Sequence, residues 1–259
     1  MTWMSKRKKF IFTSFFLSIG LLLISVAEIS WRYLAIGILT FLTAGLTIWS
    51  LREALSGIRW LTTIILPAFF TAAIGLFYFL LPTTWLSRLP IVILYAFGMY
   101  ALLLTENIFS VAAIRTIQLF RAAFAVGFLL TLLTAFLLFD TIFSFRLFAW
   151  GNFVLVYLVS LPLFFQGLWS VNLEEKVNRS LLTYSFFLPL VLSQIAWFIS
   201  FFPLTIAMSS LFLTAGMYLA LGLTQAYFQE RLFRQTIYEY LGVGVAVLVI
   251  MLATARWGG

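Results

Sequence analysis

The chain has 259 residues, of which 64% are hydrophobic and only 9% are charged, and its mean hydropathy is +1.11. A soluble domain carries about 25% charged residues, so this composition excludes a soluble protein and predicts an integral membrane protein over the whole length. The chain has no Cys and no His. That inventory excludes disulfides, thiolate chemistry, bis-His haem and His-ligated zinc, and we expect no metal and no cofactor.

The chain begins with a basic stretch, Lys6 to Lys9, followed by an apolar run. Glu28 to Trp31 leads directly into another apolar run, so we interpret residues 1–30 as a basic N-terminus with a retained first transmembrane helix. Most apolar runs are near the roughly 20 residues that cross a bilayer as a helix. The runs are Phe10–Ala27, Tyr33–Trp49, Leu61–Leu81, Leu89–Thr105, Ala122–Phe143, Leu147–Trp169, Leu181–Phe202, Leu204–Thr224 and Ile237–Arg256. The sequence therefore predicts an all-α, polytopic transmembrane helix bundle of about nine helices.

The basic residues between these runs predict the orientation of the chain. With the N-terminus inside, the inner segments hold twelve of the 16 Lys and Arg residues, and the outer segments hold only Arg32, Arg88, Arg146 and Arg256. Such an excess on one side is the positive-inside pattern. It favours a prokaryotic cytoplasmic membrane protein with a cytoplasmic N-terminus and an outside C-terminus.

The net charge of +8 does not indicate nucleic-acid binding. Basic groups that hold phosphates cluster on one polar face, whereas here they lie singly or in pairs between apolar runs. The expected partners are the lipid bilayer and, for a subunit of a complex, other membrane proteins, but no nucleic acid.

The segment that begins at Gly98-Met99-Tyr100 has a counterpart at Gly216-Met217-Tyr218. Further pairs follow in the same order: Arg32 with Arg146, Trp49 with Trp169, Arg59 with Arg179, Pro67 with Pro189, Pro82 with Pro203, Thr105 with Thr224 and Arg115 with Arg234. These pairs predict a parallel 4+4 internal repeat, with four-helix units at residues 31–143 and 146–257 behind one extra helix, as in transporters with parallel halves. The alternative is a chance alignment of apolar helices with biased composition.

Small residues predict helix packing at two places. Ala123, Gly127, Thr131 and Ala135 repeat every four residues and form a stripe on the fifth predicted helix, while Gly242 and Ala246 form a shorter stripe on the ninth. Lipid provides no hydrophobic drive for helix association, so close backbone approach across small residues matters more. We expect both stripes to contact neighbouring helices.

Three polar side chains are candidates for substrate binding or for a pathway. Gln194 is expected near the buried middle of the seventh helix, where an amide needs an interhelical or a substrate partner. Asp140 lies towards the outer end of the fifth helix, and ionisable groups within spans are functional candidates. The alternative for Asp140 is a solvated helix end paired with Arg146. Glu106 is expected at an inner helix boundary, where an interfacial role is the alternative.

The prolines Pro67 and Pro189 are expected within the first turns of two equivalent helices, where proline is ordinary. A deeper position would leave a carbonyl without its donor and kink the helix.

The motif Glu174-Glu175-x-x-x-Arg179 resembles the first motif of the CAAX-type intramembrane proteases, in which the Glu pair acts with histidines on later helices to activate water. Those later motifs require histidine, which the chain does not contain. The resemblance covers six residues in a predicted inner loop, and the protease activity is not carried over.

Three functional classes are consistent with the sequence. A transporter or permease for an apolar or weakly polar solute fits pseudo-symmetric halves without soluble domains. A scaffold or assembly subunit of a membrane complex fits apolar, aromatic-rich helices and requires no site. A membrane-embedded enzyme fits least, since there is no His, no Cys and no converging carboxylate cluster.

Overall fold

The structure is a computed structural model, and it describes residues 5–24, 31–52, 57–82, 84–112, 118–173 and 177–255. These ranges contain nine α-helices and no strand, so the prediction of an all-α polytopic bundle is confirmed. The helices are α1 (Lys6–Ile24), α2 (Arg32–Leu51), α3 (Arg59–Tyr78), α4 (Trp85–Ala112), α5 (Phe120–Ser144), α6 (Ala149–Asn172), α7 (Arg179–Ile199), α8 (Ile206–Phe228) and α9 (Arg234–Thr254).

Each helix coincides with one of the nine predicted apolar runs. Within the described residues, eight helices, α2 to α9, are long and apolar enough to cross a membrane. The remaining helix, α1, begins with the cations Lys6 to Lys9, so its apolar part starts only at Phe10. The largest difference from the prediction is at α4, which continues to Ala112 and therefore includes Glu106 within the helix.

Burial in this bundle is inverted relative to a soluble protein. Large apolar side chains such as Phe41 and Phe97 are exposed on the helices, at 81% and 70%. Conversely, hydroxyl side chains such as Thr43, Thr71 and Ser110 are fully buried, and each donates to the carbonyl four residues earlier in its own helix. An outer surface of this kind suits hydrocarbon, where every polar group must find a partner inside the protein.

The prolines do not lie where the sequence predicted. Pro67 is the ninth residue of α3 and Pro189 is the eleventh of α7, so both lie in helix interiors rather than in first turns. A proline has no N–H to donate, which removes the usual partner of the carbonyls of Thr63 and Ser185, four residues earlier. The side-chain hydroxyls of Thr63 and Ser185 are buried and have no hydrogen-bond partner either.

The chain divides into two compact units, and the division falls inside α5. Unit 1 contains α1 to α4 and the first part of α5, up to Thr134, and unit 2 contains the rest of α5, from Ala135, with α6 to α9. The four-helix units predicted at 31–143 and 146–257 describe an evolutionary repeat, and they stay a prediction.

Unit 1 is built from antiparallel neighbours. The helix α3 packs against α2 and α4, and α1 contacts both α2 and α4. Thr13 of α1 shares a 3.0 Å hydrogen bond with Ser50 of α2, which places the start of α1 beside the end of α2. We call this side of the unit the basic end, because it carries Lys6 to Lys9.

Unit 2 shows the same alternation. The helix α7 packs against α6 and α8, α6 also contacts α8, and α9 contacts α8. Asn152 at the start of α6 donates to Ser200 Oγ, just after α7, at 3.0 Å. Thr205 Oγ1 accepts from the backbone N–H of Met208 and caps the start of α8, satisfying one of the free N–H groups of that helix terminus.

Candidate functional site

A chain of buried hydroxyl groups crosses the middle of unit 1. Thr71 Oγ1 on α3 lies 3.0 Å from Thr43 Oγ1 on α2 and 2.9 Å from the hydroxyl oxygen of Tyr95 on α4. All three side chains are fully buried. Interhelical hydrogen bonds of this kind contribute about 0.6 kcal/mol on average and up to about 2 kcal/mol in membrane bundles. The chain therefore holds three helices at a defined register.

This register places two buried charges at the same level of unit 1. Arg59 precedes Thr71 by twelve residues on α3, and Glu106 follows Tyr95 by eleven on the antiparallel helix α4. At about 1.5 Å per helical residue, both lie roughly 16–18 Å from the hydroxyl chain, towards the basic end. Arg59 is 3% exposed and Glu106 is fully buried.

Several buried hydroxyl residues are close in sequence to Arg59 and Glu106 or lie at the basic end. We define the basic-end cluster as the buried polar residues Ser50, Arg59, Thr62, Thr63, Thr105, Glu106 and Ser110. Burying one unpaired ion costs several kcal/mol, so a buried cation and a buried anion each need a partner. Both Arg59 and Glu106 have interaction partners in the structure. Thr63, by contrast, has a hydroxyl without a hydrogen-bond partner, which gives the cluster unused binding capacity.

Asp140 belongs to a different polar group, in unit 2. It is partly buried on α5, and its Oδ1 accepts from Ser210 Oγ of α8 at 3.5 Å. That contact is weak, since Ser210 also donates to the carbonyl of Ile206 at 2.8 Å. The alternative pairing with Arg146 is not formed: Arg146 is exposed, and no ion pair joins these two described residues.

Gln194 is not buried, contrary to the expectation from the sequence. It is the sixteenth residue of α7, in the last third of the helix, and its side chain is exposed. The buried glutamines of unit 2 are Gln166 and Gln225, at 1% and 5% exposure, and Gln225 Nε2 donates to the carbonyl of Gly167 at 2.8 Å. Hydropathy did not identify the buried face of α7, because the exposed face carries large apolar side chains such as Phe187 and Phe198 whereas the buried face includes serines.

The two small-residue stripes behave differently. Ala123, Gly127, Thr131 and Ala135 are all buried on α5, and a Cβ at Gly127 would lie 3.3 Å from Phe109 and from Thr105 of α4. The burial of the stripe and the close approach of α4 at Gly127 are compatible with the predicted role in helix packing, which stays a prediction.

Gly242 and Ala246 are exposed, and a Cβ at Gly242 would meet no atom within 4 Å. We expected these two residues to contact a neighbouring helix, and within this chain that prediction is wrong. Two other residues of α9 face α8 instead: Tyr240 contacts Gly222, and Gly244 contacts Leu219.

Arg59 is the residue of the basic-end cluster that sequence reasoning missed as a site. It was counted among the loop cations, yet the structure places it at the first position of α3 with its side chain buried. Its predicted equivalent, Arg179, is exposed. The sequence feature that could have pointed to Arg59 is the pair of hydroxyl residues three and four positions after it, Thr62 and Thr63. Glu174 and Glu175, the protease-like pair, lie outside the described residues.

Two clefts in unit 2 are almost wholly apolar. One, of about 400 Å³, lies between α6 and α7 and includes Phe165, Phe186 and the Ser185 hydroxyl. The other, of about 260 Å³, lies among α7, α8 and α9. Both are open grooves on the surface of unit 2. Among the described residues, no group of three or more acidic side chains could hold a metal ion.

A bundle of long apolar helices with large apolar side chains on its outer surface and hydroxyl groups buried inside defines a polytopic membrane protein. Residues 14–254 match the family described as protein of unknown function (DUF5656), and the chain belongs to that family. No curated protein and no solved structure matches the chain.

Proposed function

We propose that this protein is a permease-like membrane protein for a small, weakly polar solute, with its binding site at the basic-end cluster. The observation that carries the proposal is the burial of Arg59 and Glu106 at one level inside an apolar bundle. Ionisable residues within a membrane bundle are expensive and are by default candidates for a solute pathway. A cation and an anion together favour a net-neutral solute that presents both a donor and an acceptor.

The test measures ligand-induced stabilisation of the purified protein across a panel of small net-neutral solutes, followed by uptake into proteoliposomes. A solute at 100 times its Kd stabilises the folded state by about 2.7 kcal/mol. We expect Glu106→Gln and Arg59→Gln to abolish both the thermal shift and uptake. Glu239→Gln, at an exposed position on α9, is the matched control and retains both.

A double variant separates a solute site from a structural ion pair. In a purely structural pair, Arg59→Gln/Glu106→Gln is more stable than either single variant, because neither charge is left uncompensated. That recovery, together with unchanged uptake of every transported solute, contradicts the proposal.

A second candidate function is that of a scaffold subunit, and α9 favours it. Only 6% of the most apolar stretch of α9 is buried, against at least 33% in the other seven spanning helices. A helix so little covered by its own chain has room for a helix of another membrane protein. Photo-crosslinking from Val249, which is 57% exposed, tests this function; adducts only with lipid would contradict it.

We also propose the predicted orientation, in the cytoplasmic membrane of a prokaryote with the N-terminus inside and the C-terminus outside. Support comes from the cations of α1 and from the positive-inside pattern. Because the chain has no Cys, Lys8→Cys and Arg146→Cys each introduce one labelling site. A membrane-impermeant maleimide applied to intact cells should label Arg146→Cys alone, and the reverse result refutes the orientation.

The internal duplication is supported by matched burial. The alignment set by Pro67 and Pro189 pairs Thr71 with Ser193, and both side chains are fully buried. The alignment set by the Gly-Met-Tyr motifs pairs Met99 with Met217, which are also fully buried. Other pairs differ in burial: Arg59 is buried and Arg179 is exposed. An experimental structure in which α2–α5 fail to superpose on α6–α9 would refute the duplication.

A further inference from the structure

One face of α7 carries a regular row of exposed side chains. The row consists of Phe187, Val191, Gln194 and Phe198, at intervals of four, three and four residues, and its three apolar members are 53–55% exposed. Phe201, which is 67% exposed, lies in the turn after the helix end at Ile199. We call this row the α7 seam. Alternating intervals of four and three are the spacing of a left-handed helix pair.

Gln194 lies at the centre of the α7 seam. At about 100° per residue, its direction is roughly opposite to that of Pro189, Leu192 and Ala196, which face the interior of unit 2. Gln194 makes no hydrogen bond to any described residue, since its side chain is exposed on the outer face of the helix. An amide in hydrocarbon without partners costs several kcal/mol.

Gln194 is poorly placed to reach water. The helix continues for five residues to Ile199, about 7–8 Å at 1.5 Å per residue. Side chains on a helix tilt towards its N-terminus, which here means away from the nearer membrane surface. The indoles of Trp150 and Trp197, 5.9 Å apart, lie between Gln194 and that surface, as interfacial aromatics do.

We propose that a second copy of this chain packs along the α7 seam, with Gln194 of each copy hydrogen-bonded to its equivalent. Two copies inserted in the same orientation are related by a twofold axis along the membrane normal, and such an interface is self-complementary. Their α7 helices then run parallel, which brings the same residue of each to the same depth. A carboxamide both donates and accepts, so two Gln194 side chains satisfy each other reciprocally. A single polar position in an apolar seam also sets the register of the pair.

The absence of Cys allows a clean crosslinking test in native membranes. Val191→Cys lies on the seam, whereas Phe186→Cys lies about 100° around the helix from the seam residue Phe187. The native side chains of Val191 and Phe186 are almost equally exposed, at 53% and 52%. A disulfide requires Cα atoms within about 7 Å. Under mild oxidation, we expect Val191→Cys to give a covalent dimer and Phe186→Cys to stay monomeric.

The role of Gln194 is tested in the Arg146→Cys background, where the single labelling site is exposed and lies away from the α7 seam. Gln194→Leu should weaken the dimer by about five- to thirtyfold, the range of one to two kcal/mol for an interhelical polar pair, as measured by energy transfer between labelled copies in bilayers. Gln194→Asn should retain most of the association. Both substitutions are on an exposed face, so the thermal unfolding of the monomer in detergent should not change and serves as the folding control.

Three results would overturn the proposal. The first is equal disulfide formation by Val191→Cys and Phe186→Cys, which indicates random collision. The second is a crosslinked product that contains another protein. The third is unchanged association after Gln194→Leu, which would make the seam a lipid-facing surface or a dimer held by Phe contacts alone.

Discussion

Gly98 is the position where adding one methyl group should disturb unit 1 most clearly. A Cβ there would lie 2.6 Å from Phe70 Cζ and 3.0 Å from its Cε1, against an ordinary contact of 3.4–4 Å. Phe70 is 1% exposed and its ring stacks on Tyr95 at 5.8 Å. Tyr95 is itself fixed by its hydrogen bond to Thr71. The Phe70 ring therefore has to move by nearly 1 Å against neighbours that cannot give way.

The magnitude of the effect of Gly98→Ala follows from these contacts. Overpacking costs about 1–3 kcal/mol, and a disturbed aromatic stack adds about 0.5–1.5 kcal/mol. Replacing Gly by Ala inside a helix returns about 0.8–1 kcal/mol. We expect a net loss of about 0.5–4 kcal/mol in the free energy of unfolding.

Gly216 provides the matched control, because it occupies the same position of the second Gly-Met-Tyr motif. Its added Cβ would meet only Leu192 Cδ1, at 3.1 Å, which is the flexible end of a side chain. Gly216→Ala should therefore be neutral or slightly stabilising. Both variants are compared with the wild type by SDS-induced unfolding in one detergent, followed by circular dichroism. Equal stability of Gly98→Ala and Gly216→Ala would refute the reasoning.

Three further substitutions test other contacts by the same unfolding assay. Tyr95→Phe removes the hydroxyl bonded to Thr71 and should cost about 0.6–1.7 kcal/mol; an unchanged stability would mean that the hydroxyl chain does not hold the helices together. Gln225→Leu removes the 2.8 Å bond to the Gly167 carbonyl and should cost about 1–2 kcal/mol, whereas a stabilised variant would contradict this. Glu230, after α8, has a φ of +56°, a conformation that costs a non-glycine residue about 1–2 kcal/mol; Glu230→Gly should raise the unfolding midpoint, and a lower midpoint would show that the Glu230 side chain stabilises the turn.

The spans could be predicted from sequence because the membrane leaves the backbone almost no alternative to helix. Side-chain orientation could not be predicted in the same way. On α7, both Gln194 and the buried Ser193 stand among apolar neighbours, so hydropathy does not distinguish the lipid face from the protein face. Only the contacts of Pro189, Leu192 and Ala196 assign the faces.

The depth of a residue along its helix was the second quantity that could not be predicted from the sequence. Glu106 was expected at an inner helix boundary, yet α4 continues six residues beyond it to Ala112, since the residues after Glu106 form helix as readily as those before. Arg59 was expected in a loop, yet it is the first residue of α3, because the sequence does not mark where the loop ends and the helix begins. A run of Lys and Arg predicts on which side of the membrane a segment lies, but it does not distinguish the last solvated residue from the first buried one.

The proposed duplication bears on whether the charge of Glu106 has a structural purpose. Its equivalent by the Leu-Thr pairing is Gln225, which is also buried and satisfies its amide with the Gly167 carbonyl. A neutral amide therefore suffices for packing at this position of the four-helix unit. A carboxylate there costs more to desolvate than an amide, and packing alone does not explain that cost. The position of Glu106 is consequently one at which unit 1 differs in chemistry from unit 2. The double variant Arg59→Gln/Glu106→Gln, which leaves no single buried charge uncompensated, should remove a function while leaving the fold intact.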